Sequence, residues 1–283
     1  MDINKLLDGD LSVGSLPSIY QQFQEAMSDE STSFDEIGKI ILYDSVLTAR
    51  LLQIVNSPYY GFSDRIETVS DAISVVGTMH LSDLILSTVV VDKFNSIPES
   101  VVNIESFWKH SIACGLIARE LASYNEDLDT EKFFVAGMLH DIGQILLCTK
   151  LPELTLKILL ENQSEPKHLH EAESEELGFD HAELGAKLLG KWNLSEFHVE
   201  LTKFHHNPSL APNFAKEASI LNFADVLVNI MQLGSSGETT ISPELEKATY
   251  EGVELPDQVS LSDFKESIYE KFDETVKLFL QPN

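Results

Sequence analysis

The chain has 283 residues, 43% hydrophobic and 23% charged, the proportions of an ordinary globular protein with enough chain for one large domain or two modest ones. Its 19 Lys and Arg against 46 Asp and Glu leave a formal charge of -27. A field of that sign repels nucleic-acid phosphates and anionic lipid and is compatible with a basic protein partner.

The opening MDINKLLDGDLSVGS lacks a basic stretch followed by an apolar one, and no run reaches the roughly 18 apolar residues of a membrane span, so the expected location is the cytoplasm. Cys114 and Cys148 sit among apolar neighbours and read as buried thiols rather than a disulfide.

In chain order, Leu16-Pro17 precedes a short helix with Tyr20, Phe23 and Met27 on one face. Ser33 to Glu36 spells a capping box ahead of Ile37, Ile40 and Ile41. Asp44 caps a third helix carrying Leu47, Leu51, Ile54 and Val55, which stops at Asn56-Ser57-Pro58. The aromatic loop SPYYGFSDR either folds back on the core or offers a docking patch. Ser70 is expected to open a helix closed by Gly77, and Leu81 to Val91 reads as helix despite its β-branched STVVV, because no partner strand is evident. His80 at its start reads as a cap or a surface residue. Residues 94–103 connect two helical halves.

Ser106 to Ala122 is expected to form a helix with His110 on or near its apolar face. The next helix, FFVAGMLHDIGQILL, places His140 and Asp141 inside an apolar run, where an imidazole and a carboxylate are costly unless each finds a partner or a metal. A hydrogen-bonded core pair is the simpler reading of that stretch alone. Gly137 and Gly143 bracket the pair and let a neighbouring backbone approach. The acidic stretch from Glu161 to Glu176, with His168 and His170, reads as solvated, and these two histidines as non-ligands.

His181 falls in the first turn of a helix begun by Asp180. His205 and His206 end a helix before Pro208, where two imidazoles could simply favour the C-terminal dipole. Asp225 lies in register with Ala218, Leu221 and Val228 on the apolar side of a helix over 215–233, and a buried carboxylate needs cationic or metal company. GSSGETT reads as a link, Ser242-Pro243 as the start of a short helix, and Ser262 as the cap of a last helix striped by Phe264, Ile268, Phe272, Val276 and Phe279. That stripe is expected to pack on the body. No P-loop, GxGxxG, CxxC pair or serine-hydrolase signature is present.

His110, His140, Asp141, His181, His205, His206 and Asp225 form a set of imidazoles and carboxylates on or beside apolar helical faces. Such mixed nitrogen and oxygen ligation suits Mn(II) or Fe(II), whereas a structural zinc site normally shows thiolates. Asp141 could bridge two ions, and seven ligands suffice for a dinuclear site.

The order His, His-Asp, His, His-His, Asp resembles the HD superfamily of metal-dependent phosphohydrolases, particularly its HD-GYP branch. LLQIVNSPYYGF, the DAISVVG helix, FWKHS and AGMLHDIGQILL are similar to the HDOD family, the HD-related output domains of bacterial signalling proteins, over roughly residues 15 to 230. The resemblance implies an all-α, multi-helix HD-type bundle with an N-terminal helical half (1–103) and an HD-like half with the metal site (104–233); the expected C-terminal helical extension (234–283) lies outside it and matches no named family. The resemblance also implies one metal on His110, His140, Asp141 and Asp225 and a second on Asp141, His181, His205 and His206. HD-GYP proteins carry a lysine after HD-x-G, suited to a phosphate oxygen, where this chain has Gln144, and NPSLAP stands where their GYP element falls. The expected function is therefore a signalling module that binds metal, is weakly catalytic or not catalytic, and acts through a protein partner. The alternative is an active phosphohydrolase with Asp141 and Gln144 as catalytic residues, and a third is a regulator that holds a nucleotide or phosphoester without cleaving it.

Overall fold

A computed structural model describes residues 1–8, 16–29, 31–94, 101–125, 128–164, 167–237, 253 and 260–280. Every regular element among them is helical, as the periodicity predicts. In chain order they are α1 (Ile3–Asp8), α2 (Ser18–Ser28), α3 (Phe34–Leu42), α4 (Ser45–Val55), α5 (Val69–Val76), α6 (Thr78–Phe94), α7 (Ile104–Ser123), α8 (Thr130–Leu139), α9 (Ile142–Lys150), α10 (Pro152–Ser164), α11 (Leu169–Leu177), α12 (His181–Lys191), α13 (Glu196–Phe204), a 3-10 turn (Pro208–Leu210), α14 (Ala215–Met231) and α15 (Leu261–Leu280). No single helix among the described residues is long and apolar enough to cross a membrane. The helix expected from Ser242-Pro243 lies outside the described residues.

The chain divides into two units, one of residues 1–15 and 96–265, the other of 16–95 and 266–283. This differs from the expected 1–103, 104–233 and 234–283 split. The N-terminal segment belongs with the histidine-rich part, where Lys191 Nζ donates to the Leu7 carbonyl at 3.0 Å. The last helix is shared between the two units.

The unit of 16–95 and 266–283 is built as its caps dictate. Ser33 and Glu36 exchange hydrogen bonds in a full capping box, and Asp44 accepts from the backbone of Val46 and Leu47. The cap before α5 is Thr68, which accepts from the Asp71 backbone, so that helix starts ahead of the expected Ser70. The STVVV stretch is helical, with Val89, Val90 and Val91 buried, and burial on all sides overrides the strand preference of β-branched residues. In the aromatic loop, the Asn56 side chain accepts from Ile66 N–H at 2.7 Å and donates to its carbonyl at 2.8 Å. Tyr59 is buried and Tyr60 stacks on Phe62 at 5.6 Å. Arg50, 4% exposed, donates to Asp92 at 2.7 Å.

In the other unit two backbone approaches set the packing. A Cβ on Gly137 would lie 2.4 Å from the Cα and N of Gly115, so α7 and α8 meet main chain to main chain. A Cβ on Gly143 would lie 1.9 Å from the His181 carbonyl oxygen and 2.7 Å from the Gly185 nitrogen, which brings α9 equally close to α12. Only glycine fits either crossing. Both cysteines are buried and free, as expected. The α15 stripe of Phe264, Ile268, Phe272, Val276 and Phe279 is buried throughout, and its cap is Ser260, which accepts from Asp263 N–H at 3.1 Å, rather than Ser262.

Replacing Gly143 with Ala forces a methyl into the His181 carbonyl, and the expected loss is about 3 kcal/mol or more, beyond the usual 1–3 for overpacking. Gly190→Ala, in an exposed turn of α12 where a Cβ meets nothing within 4 Å, is expected to be neutral or to stabilise by about 0.5–1 kcal/mol. Urea unfolding of the two variants checks the contrast; equal midpoints would contradict it.

Candidate metal centre

His140 and Asp141 do not continue one helix. Chain direction breaks at the pair, with α8 ending at Leu139 and α9 starting at Ile142, and Asp141 sits off the helical basin at φ -97° and ψ 12°. The expectation of a helix running through the pair is corrected accordingly. The break turns both side chains toward the interior, where His140 is 0% and Asp141 3% exposed.

The other predicted residues arrive on separate elements. His110 comes from α7, His181 opens α12 behind its Asp180 cap, His205 and His206 follow α13, and Asp225 lies in the middle of α14. All are buried except His206, which is half-buried. The seven side chains converge. Asp141 Oδ2 faces His140 Nε2 at 3.2 Å and His110 Nε2 at 3.6 Å, and His110 Nε2 lies 3.1 Å from Asp225 Oδ1. Asp141 Oδ1 faces His181 Nε2 at 3.3 Å and His205 Nε2 at 3.5 Å, and His181 Nε2 lies 2.9 Å from His206 Nε2. One carboxylate thus turns one oxygen to each of two groups.

The far side of three of the five rings is anchored, whereas His110 Nδ1 is buried with no hydrogen-bond partner. His140 Nδ1 lies 2.7 Å from the Gly137 carbonyl, His205 Nδ1 2.7 Å from the Thr202 carbonyl, and His181 Nδ1 2.6 Å from Glu173 Oε2. A proton on Nδ1 donated to an oxygen fixes Nε2 as the inward nitrogen, which faces Asp141 and would be the atom to take a metal in place of a proton. The Nε2 atoms of His110, His140 and His205 are buried with no hydrogen-bond partner. Buried polar atoms without partners are costly, and donors within 4.8 Å of one another could hold a metal ion in the groups His181/His205/His206, His110/His140/Asp225 and His140/Asp141/His205. No thiolate belongs to these groups. The Cys114 thiol, beside His140, is raised by burial above the usual range, so it stays protonated.

The charges follow from the packing. Burial would lower the His140 pKa, but the adjacent Asp141 carboxylate holds it well above the ordinary histidine value. Burial would raise Asp141, and His140 with His181 and His205 hold it well below the usual carboxylate range. Asp225 is pulled down in the same way by His110 against its burial. His206 is pushed well down, by burial first and then by the neighbouring His205, His181 and His170.

Four supporting residues were not legible in the sequence. Glu173, read as solvated, is 1% exposed and also accepts the His181 backbone N–H at 2.8 Å. Its signal was present: Leu169, Ala172, Glu173 and Leu177 share one helical face. Asn222 donates to the His205 carbonyl at 2.7 Å and ties the end of α13 to α14. His170, also read as solvated, is half-buried and stacks on His206 at 4.2 Å with planes 16° apart, and burial pushes its pKa down to about 4. Asn229 donates to Asp225 Oδ1 at 3.2 Å. Gln144 is 1% exposed, and neither atom of its amide has a partner.

A curated relative from Treponema pallidum, itself an uncharacterized protein, is 29% identical over 232 residues, which are 80% of this chain and 43% of that one. The chain thus spans less than half the length of that relative. A crystal structure of an HDOD domain protein of unknown function from Geobacter sulfurreducens matches with a TM-score of 0.78 at 24% identity, covering 99% of this chain and 100% of the other. A second, named "putative phosphohydrolase", from Shewanella amazonensis, matches with a TM-score of 0.76 at 22% identity over 99% and 98% of the two chains. At these identities the structures speak for the fold. The HDOD domain model matches residues 13–208, more than half of the sequence, and the chain belongs to the HDOD domain family.

Proposed function

We propose that this chain is a regulatory HDOD module that holds two divalent cations, iron or manganese, in its histidine and aspartate centre and transmits a state to a protein partner. The observation that carries this reading is Asp141, whose two oxygens each face a separate cluster of inward-aimed imidazoles. Asp141, His110, His140 and Asp225 would hold one ion, and Asp141, His181, His205 and His206 the other. Ligands drawn from α7, the α8–α9 junction, α12, the end of α13 and α14 would fasten five segments together, so metal binding stabilises the fold directly. A basic partner surface fits the charge of -27, whereas nucleic acid and anionic membrane do not.

Weak or absent turnover is supported by the site itself. Gln144 supplies no cation for a phosphate oxygen, and the donors are buried except for His206, which leaves little approach for a bulky phosphoester. An active phosphohydrolase is the second reading, favoured by the completeness of the seven-residue set. Two bound cations would then supply charge neutralisation at phosphorus and an activated water. In that case Asp141 would hold the ions together and Gln144 would donate its amide N–H to the substrate.

Elemental analysis of protein purified without added metal is expected to find two ions per chain, with Asp141→Asn retaining fewer than one. Metal-free wild type whose melting temperature does not respond to Mn(II) would remove the reading. Glu173→Gln, which keeps the shape and removes the charge behind His181, is expected to weaken one of the two ions by about 10- to 100-fold and leave the other unchanged. Titration of the metal-free protein with Mn(II) distinguishes the two affinities. With a generic phosphodiester and Mn(II), turnover is expected at background level. Metal-dependent turnover abolished in both His140→Ala and Asp141→Asn would favour the second reading instead.

A further inference from the structure

Six of the seven clustered residues are at most 5% exposed, and His206 alone is half-buried, so the side of the centre nearest solvent is the His206 side. That side is not open. The His206 ring is covered by the His170 ring at 4.2 Å, and His170 is in turn stacked on His168 at 5.4 Å with planes 28° apart. His168 is exposed, His170 and His206 half-buried, and His181 and His205 buried. Imidazoles therefore run in an unbroken file from solvent to the interior cluster. They come from two places in the chain: His168 caps α11 and His170 lies in its first turn, whereas His206 follows α13.

Two details separate this file from ordinary aromatic packing. His170 Nδ1 is buried without a hydrogen-bond partner, a donor atom left over beside a cluster of donor atoms. His206 has already turned Nε2 inward to 2.9 Å from His181 Nε2, close to the roughly 3 Å that separates neighbouring ligands on one ion at bonds of about 2.1 Å. Glu171 and Asp180, both acting electrostatically on His170, add negative charge at the mouth. A cation attracted there meets an exposed imidazole, a half-buried one, and then a ligand of the cluster.

We propose that His168 and His170 form an entry site that captures a divalent cation at the surface and hands it to His206 and the His181/His205 pair. The inference rests on the metal-binding reading above. Its signature is kinetic: the two rings lie on the path and outside the final ligand set, so their nitrogens set how fast the centre fills and leave how much it holds unchanged.

The test is stopped-flow uptake of Co(II) by metal-free full-length protein, followed by the visible absorption of the bound ion, for wild type, His168→Ala/His170→Ala and His168→Phe/His170→Phe. The phenylalanine variant keeps the stacked faces and removes the nitrogens. Both variants are expected to load at least about tenfold more slowly than wild type and to reach the same final Co(II) content. A phenylalanine variant that loads at the wild-type rate overturns the proposal, because stacking alone would then explain the file. A reduced final content in the phenylalanine variant also overturns it, by making these residues part of the equilibrium site. Wild type that takes up no Co(II) defeats the metal-binding reading itself, an outcome distinct from uptake at equal rates in all three proteins.

Discussion

A carboxylate 3% exposed in an all-helical interior is stable only among cations or strong donors, and Asp141 has four imidazole nitrogens between 3.2 and 3.6 Å from its oxygens. Around that carboxylate the unit is arranged. The helix breaks at His140–Asp141 so that both side chains point inward, and α12 presses its His181 carbonyl against Gly143 so that the His181 ring reaches Asp141. The Gly115–Gly137 approach draws the His110 helix in from the other side. Moving any of these backbones outward by one methyl group would open the distances on which the charge balance rests.

The supporting residues work on orientation rather than charge alone. A histidine ring has two nitrogens, and a cluster of five such rings has many possible tautomers. Backbone carbonyls behind His140 and His205, and Glu173 behind His181, remove that freedom for three of the five by fixing a proton on the outer nitrogen. The inward nitrogens of His140, His205 and His181 then all face the Asp141 carboxylate, where a cation could take the place of the shared protons.

Most of the helices and several of their caps were legible in the sequence from apolar periodicity and capping signals, whereas the helices at Ile3–Asp8, Pro152–Ser164 and Leu169–Leu177 were not, and the seven clustered residues were joined into one ligand set by the family resemblance. Glu173, Asn222 and His170 were harder to find because their significance depends on partners 8, 17 and 36 positions away, as in the Glu173–His181 and Asn222–His205 bonds. An acidic stretch such as EAESEELGFD is usually solvated, and only the burial of one helical face separates Glu173 from its neighbours Glu171, Glu175 and Glu176. The attachment of the N-terminal segment was not legible for a similar reason. Residues 1–8 are held by side chains of α12, more than 170 positions away, and nothing local to them announces it.

The geometry of Asp141 also limits how the two halves of the cluster can behave. Its Oδ1 and Oδ2 belong to one delocalised carboxylate, so electron density drawn toward one group is withdrawn from the other, and any rotation of the side chain that shortens one set of distances lengthens the second. Were both groups to hold ions, their occupancies would be linked, and reciprocally: whatever the first ion did to the affinity of the second, the second would do to the first.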